Sequence, residues 1–396
     1  MEQIELILLV GAIVAITAKR LRIPYTVGLV VAGILIDFVP IRFDINFSKP
    51  LIFGILLPPL IFEDAIYISW RWLRHDLPVI LAFAILGVLL SALATAVLMY
   101  YLAGWTWEAA VIFGVLIAAT DPVSVIATFR EADVHGRLKL LVESESLFND
   151  ATAAVGFSIA LAFAFGEQIY FPTAFLQVVL SIVGGVVCGL LIGFGVLFLA
   201  GRTDEDLVEL SLTTIAAFGS FWLAEYFSCS GVLATLTAGL LLGNTLSWNY
   251  FSKKGTELSI GFWKFSAFAV NSIIFVTIGV NIGKRDFAQF IVPILVAIGA
   301  AIVGRAAAVY PVSALFFRSS LKVESRYQHV LVWGGLRGAL GLALALGIPE
   351  EFSYRRQIIL ATFAVVAFSV FAQGLTMRPL LRKLKLVTEK SEKVKR

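Results

Sequence analysis

The sequence predicts an all-α membrane protein of about thirteen transmembrane helices, arranged as two inverted-topology repeats with two interrupted, crossing helices, numbers 5 and 12. Three observations carry that expectation. Of 396 residues, 59% are apolar and only 15% charged, with a mean hydropathy of +0.92, whereas a soluble domain carries about 25% charged residues. So much apolar surface does not fit inside a soluble fold, which excludes a soluble enzyme or a nucleic-acid binder. Apolar stretches long enough for a hydrocarbon layer of roughly 30 Å, which takes about 20 helical residues, recur along the whole chain. Finally, segments 5 and 12 are broken, and each carries a charge at its break.

The first segment, 4–18, lies in MEQIELILLVGAIVAITAKR. Its acidic residues precede the apolar run and its basic ones follow, the reverse of a secretory signal peptide, so it reads as a retained first helix. Segments follow at 25–40, 51–68, 78–102, 109–129, 138–165, 174–200, 206–226, 231–247, 262–282, 288–316, 328–347 and 357–378. Breakers sit in segment 3 (LPPLIF), segment 5 (ATDPV) and segment 12 (GGLRGALG). Lys and Arg accumulate in cytoplasmic loops. Thirteen crossings put Lys19, Arg20, Arg22, Arg71, Arg74, Arg130, Arg137, Lys139, Arg202, Lys253, Lys254, Lys264, Arg318, Lys322, Arg326 and the basic C-terminus on one side. The other side keeps only Arg42, Lys49, Lys284, Arg285, Arg355 and Arg356. The C-terminus is therefore expected in the cytoplasm and the N-terminus outside, with the tail from Arg382 a solvated, positive anchor.

His75, His135 and His329 fall in expected cytoplasmic loops, and Trp70, Trp72, Trp105, Trp107 and Trp248 lie near segment ends as interfacial belts. Cys188 and Cys229 provide neither a disulfide framework nor a thiolate metal site.

Segments 5 and 12 are seven apart. Six helices, a linking helix and six more make two repeats of opposite orientation, and paired interrupted helices mark the binding site of transporters built that way. Ionisable residues at bilayer depth are costly and mark pathways or relays. Those at such depth are Glu63, Asp64, Asp121, Glu145, Asp150, Glu225, Arg305 and Arg337, more than a structural membrane protein needs. Glu63 and Asp64 read first as interfacial and structural.

Segment 6, LVESESLFNDATAAVGF, is the richest. A step of four residues returns to nearly the same helical face, so Ser146 lies one turn below Asp150 and Glu145 one turn below Asn149. Hard cations such as sodium prefer oxygen donors, and a single buried carboxylate is a site that either a proton or a cation can fill. Ser146 can instead bond back to its own helix, and Asn149 can serve a helix–helix hydrogen bond.

At the segment 5 break, Pro122 frees backbone groups. Asp121 there can sit at the positive end of the following half-helix, while Thr120 projects a hydroxyl or carbonyl toward segment 6. Arg337 can balance the negative end of a broken segment 12 in the same way. Both charges are assigned first to dipole compensation and second to direct ligation. Arg305, in the middle of IVPILVAIGAAIVGRAAAVYPVSALFF, needs a partner unless it snorkels to the interface. Glu145 is favoured, because pairing with Asp150 would compete with the cation.

The ordered set RIPYTVGLVVAGIL, LPPLIFEDA, ATDPVSV, ESESLFNDATA, SGVLATLTAGLLLG, GRAAAVY and VWGGLRGALGLALAL resembles the monovalent cation/proton antiporters, in the branch holding the NhaP-type and eukaryotic sodium/proton exchangers. The resemblance spans nearly the whole chain. It implies that the cation-and-proton carboxylate is Asp150, preceded by Asn149, with ligands on Thr120 and Ser146, a buried acid on Glu145 paired with Arg305, and crossing-point charges on Asp121 and Arg337. Ser144 stands where the family usually has glycine between the two acids. The resemblance also implies a homodimer, with a dimerisation scaffold in 1–76 and 170–286 (the latter including linking helix 7), a core transport unit in 77–169 and 287–384, and a short cytoplasmic tail over 385–396.

The expected function is a secondary antiporter exchanging protons for sodium or lithium, electroneutral and working by alternating access, in a prokaryotic plasma membrane and serving pH homeostasis. No enzymatic activity and no cofactor are expected. The expected partners are monovalent cations, protons, the lipid bilayer and a second copy, and no nucleic acid. Potassium/proton exchange is the alternative, and a cation channel a more distant one.

Overall fold

A computed structural model describes residues 2–21, 25–37, 51–167, 171–245, 250–283 and 290–387. The tail from residue 388, the loop charges Arg22, Arg42, Lys49, Lys284 and Arg285, and Trp248 lie outside the described residues.

Among the described residues there are helices and no strands. In chain order they are α1 (Glu2–Leu21), α2 (Tyr25–Asp37), α3 (Leu57–Tyr67), α4 (Trp70–Ala103), α5 (Trp107–Ala118), α6 (Val123–Glu131), α7 (Arg137–Ala164) and α8 (Phe171–Ala200). They continue with α9 (Asp206–Tyr226), α10 (Gly231–Thr245), α11 (Lys253–Gly283), α12 (Ile291–Leu315), α13 (Ser325–Trp333), α14 (Ala339–Leu346) and α15 (Arg355–Lys383). Among the described residues, eight spans are long and apolar enough to cross a membrane, and three shorter apolar helices accompany them. With α3 and the broken pair α13–α14, they account for the thirteen segments. Side chains such as Leu9, Ile13 and Ile16 on α1 and Leu180, Val187, Leu191, Phe194 and Phe198 on α8 are exposed. Such apolar rows suit a hydrocarbon solvent, and the chain is an integral, multi-pass membrane protein.

The structure departs from the sequence-based boundaries where helices run out of the apolar layer. Segment 4, expected from residue 78, begins at Trp70, and segment 10, expected from 262, begins at Lys253. Each extension has a local cause. The Trp70 N–H donates to Asn244 Oδ1 (2.7 Å), and the Gly255 N–H donates to Ser252 Oγ (2.9 Å), so first-turn donors that would be orphaned are satisfied. His75 consequently sits on α4 and His329 on α13, both helical instead of in loops. The prolines of LPPLIF do not break segment 3: Pro58 and Pro59 open α3 directly after the π-helical turn Ile52–Leu56, and the segment stays helical through them. The π-helical turns among the described residues, Ile52–Leu56, Phe83–Gly87, Ile215–Gly219 and Ser369–Gln373, have no signature in hydropathy.

The chain forms two compact units. One comprises Met1–Asn46, Pro78–Ala164 and Asn271–Arg396, the other Phe47–Leu77 and Phe165–Val270. In the first, helices approach closely at small residues, as bilayer packing favours. A Cβ on Gly33 would stand 2.8 Å from the Gly279 Cα, and one on Gly304 would meet Thr95 and Ser91. In the second, Gly239 and Gly243 of α10 lie against Phe62, Ala65 and Ile66 of α3. Buried Trp263 packs against Phe62 with tilted rings, centroids 4.6 Å apart, and donates to Thr213 Oγ1 (3.0 Å). All the candidate site residues named below lie in the first unit.

Candidate cation site

Segments 5 and 12 are both interrupted. Segment 5 stops at Ala118 and resumes at Val123, and segment 12 stops at Trp333 and resumes at Ala339. Four helix ends thus meet inside the unit, each with backbone groups that lack an intrahelical partner. The two extended stretches hold each other, since the Asp121 N–H donates to the Leu336 carbonyl (2.8 Å).

Charges complete the arrangement. Asp121 Oδ1 accepts the Val123 N–H at the start of α6 (2.9 Å), and the Asp121 carboxylate also takes the Ala339 N–H at the start of α14. One carboxylate therefore serves two positive helix ends. Arg337 donates through Nη1 to the carbonyls of Ala118 (3.2 Å) and Ala119 (3.1 Å) at the end of α5, and through Nη2 to Ala301 O (3.3 Å). Its guanidinium thus caps the other broken segment instead of the end of its own. Arg305 Nε donates to Leu331 O (3.0 Å) in the last turn of α13.

Two glycines make room for these groups. A Cβ on Gly338 would collide with the Asp121 carboxylate, and one on Gly335 would stand 2.6 Å from Arg305 Nε. In GGLRGALG the sequence presents glycines as helix breakers, but here they are also clearances.

Thr120 follows the end of α5, and its neighbours come from α7. Asn149 uses its whole amide. Nδ2 donates to Thr120 Oγ1 (2.7 Å) and to Glu145 Oε1 (2.8 Å), and Oδ1 accepts the Thr120 N–H (3.2 Å). Ser146 Oγ donates to the Thr120 carbonyl and accepts from Thr120 Oγ1 (3.4 Å). Glu145 lies one turn before Asn149 and meets Arg305 end-on, with Nη1 to Oε1 at 2.8 Å and Nη2 to Oε2 at 2.7 Å. Thr120, Glu145, Ser146, Asn149, Arg305 and Arg337 are all buried. A narrow cleft is lined by Thr120, Pro122, Glu145, Ser146, Arg305 and Gly334, among others.

Asp150, next to Asn149 on α7, is only partly buried, and it does not line that cleft. Ser144 is fully buried on the same helix. Glu63 and Asp64 lie on α3 and Glu225 on α9, in the other unit.

In chemical terms, the Thr120 hydroxyl proton goes to Ser146 and the Ser146 proton to the Thr120 carbonyl, while Thr120 Oγ1 accepts from Asn149 and Ser146 Oγ from Thr120, so each hydroxyl oxygen keeps one further lone pair to offer a cation. Oxygen ligands suit a hard, monovalent ion. Glu145 already engages both oxygens with a guanidinium, so it is poorly placed to serve as a second ligand. Ser369 was not singled out from the sequence. It contacts the backbone of Arg337, and a lone serine in an apolar run gives no signal of that.

A sequence profile described as "Sodium/hydrogen exchanger, transmembrane" matches residues 6–383. The chain is 41% identical over 376 residues to the Na(+)/H(+) antiporter ApNhaP of Aphanothece halophytica, covering 94% of this chain and 72% of that protein. It is 38% identical over 409 residues to the low-affinity Na(+)/H(+) antiporter NhaS1 of Synechocystis sp., covering 100% of this chain and 76% of the relative. Among solved structures it resembles the sodium proton antiporter MjNhaP1 of Methanocaldococcus jannaschii. The TM-score is 0.79 at 22% identity, over 96% of this chain and 97% of the other, a likeness of fold.

Proposed function

The chain belongs to the sodium/hydrogen exchanger family, and we propose that it is an antiporter exchanging protons for sodium or lithium by alternating access. Asp150 is the carboxylate shared by proton and cation, and Thr120 and Ser146 complete the ligand set. Glu145 and Arg305 are a buried pair supporting the site, and Asp121 and Arg337 neutralise the helix ends where the broken segments meet. Exchange is electroneutral, because only one of the adjacent positions 149 and 150 carries a negative charge and it holds either one proton or one monovalent cation. The protein performs no covalent chemistry and needs no resident cofactor.

The observation that supports this reading is the hydrogen-bonded pair of hydroxyls, Thr120 at the helix break and Ser146 one turn before Asp150 on α7. Names borne by relatives point to the same activity. The protein is further proposed to act as a homodimer in a prokaryotic plasma membrane with its C-terminus cytoplasmic, serving pH homeostasis. Residues 77–169 and 287–384 would transport, while 1–76 and 170–286 would form the scaffold.

The test is exchange in proteoliposomes with a pH-sensitive dye, adding sodium, lithium and potassium in turn. Dye recovery with sodium or lithium is the expected result. Recovery with potassium alone would make the protein a potassium/proton antiporter, and large currents uncoupled from pH would make it a channel.

A further inference from the structure

Ser369 stands in the π-helical turn Ser369–Gln373 of α15 and is 1% exposed. Its Oγ accepts the Arg337 N–H (3.1 Å), and its proton is shared between the carbonyls of Arg337 (3.2 Å) and Val366 (2.8 Å). At a helix break both the N–H and the C=O of a buried residue need partners, and this single hydroxyl serves both groups of Arg337.

The first repeat has the counterpart. There Ser146, on the helix that follows broken segment 5, donates to the Thr120 carbonyl at the break. In each half of the chain, then, a serine of the next helix holds the backbone of the interrupted one. Ser146 is also a proposed cation ligand, whereas Ser369 is not among the proposed ligands.

The Arg337 segment in turn brackets Thr120. On one side the Arg337 guanidinium holds the carbonyls of Ala118 and Ala119, and on the other the Leu336 carbonyl holds the Asp121 N–H. The backbone of Thr120 is fixed from both flanks by residues 336–337, and these are fixed by Ser369. We propose that Ser369 is a positioning residue for the cation site, setting the Thr120 oxygens from the opposite repeat without touching the ion. The inference rests on the antiporter reading, with Thr120 as a ligand.

The test compares Ser369→Ala with Thr362→Val in proteoliposomes. Thr362 is also fully buried on α15, but its hydroxyl bonds only back to Ile358 O (2.7 Å). Both variants lose a buried hydroxyl from one helix, so a general loosening of α15 would affect them alike. Ser369→Ala is expected to raise the apparent sodium KM about five- to twentyfold, the scale of one stranded buried hydrogen bond, and to change the lithium-to-sodium preference. The maximal rate per folded protein stays within about twofold of the parent. Thr362→Val should leave KM and preference unchanged. If Ser369→Ala does not fold, Ser369→Cys, which keeps the size but offers only a weak donor and acceptor, must raise KM in the same direction. An unchanged KM and cation preference in the folded Ser369 variant, with the parent protein transporting normally, would overturn the inference. A parent protein that exchanges no alkali cation for protons would instead defeat the antiporter reading itself.

Discussion

Asn149 donates to Thr120 and to Glu145 from one nitrogen, so no isostere without two protons can replace it. Asn149→Asp loses donors to both neighbours and sets an acid against the Glu145 carboxylate. The expected loss is about 3–5 kcal/mol, the scale of a buried charge left without compensation, read as a large fall in melting temperature in detergent. Asp150→Asn should act in the opposite way. A neutral amide is cheaper to bury than a carboxylate, so the melting temperature should hold or rise while cation-driven proton exchange disappears. Exchange surviving in folded Asp150→Asn protein would remove Asp150 from the proposed role. For Glu145 and Arg305 the informative quantity is coupling. Glu145→Gln and Arg305→Gln each strand one charge, while the double variant strands none, so the double should recover part of the summed loss. Strictly additive melting temperatures would contradict a shared role. The periodicity of segment 6 made Glu145, Ser146, Asn149 and Asp150 legible, because a four-residue step needs only helical geometry. The three-way use of the Asn149 amide was not legible, because it depends on where another segment breaks.

Between elements, the crossing of the two interrupted segments rests on clearance as much as on charge. Gly338→Ala would push a methyl into the Asp121 carboxylate, the group that caps both α6 and α14. A loss of roughly 1–3 kcal/mol is expected, with weakened transport. Gly299→Ala on α12 meets nothing within 4 Å and should be neutral or gain about 0.5–1 kcal/mol from the better helix former. A melting-temperature comparison that failed to separate the two would show that the crossing tolerates displacement. The breaks themselves were readable from Asp121-Pro122 and from the glycines around Arg337. The partner of Arg337 was not, since a dipole argument along one segment points to its own helix end, while the structure uses the end of the other. Helix starts at Trp70 and Lys253 are illegible in the sequence for a related reason. Hydropathy sees where the lipid layer begins, and a cap supplied by Asn244 or Ser252 lets the helix continue into water.

For the whole molecule, the proposed single shared carboxylate fixes how transport responds to pH and voltage. If a proton and a sodium ion exclude each other at Asp150, the apparent sodium KM rises as pH falls. In the competitive range the rise is about tenfold per pH unit, since each unit multiplies the competitor by ten, while the maximal rate at saturating sodium stays flat. A KM independent of pH would mean separate sites. A valinomycin-clamped potential with no pH gradient should drive no net sodium movement. The architecture of thirteen apolar segments was legible because lipid demands about 20 apolar residues per crossing. The grouping into two compact units was not, since it depends on contacts between residues far apart in sequence, such as Gly33 with Gly279.

The charges fixed at the helix ends balance in sum, Asp121 and Glu145 against Arg305 and Arg337; Glu145 and Arg305 are in direct contact, and each arginine also caps the end of a half-helix. A moving part that carries all four of these charges moves them at no net electrical work, and the proposed role of Asp150 makes its carboxylate the charge that the field would feel. In a voltage-jump recording on a supported membrane, a carrier saturated with sodium should give no displacement current. The same carrier at high pH without alkali cations should give a transient that vanishes in Asp150→Asn, so the protein would move charge across the membrane only on a stroke it makes empty.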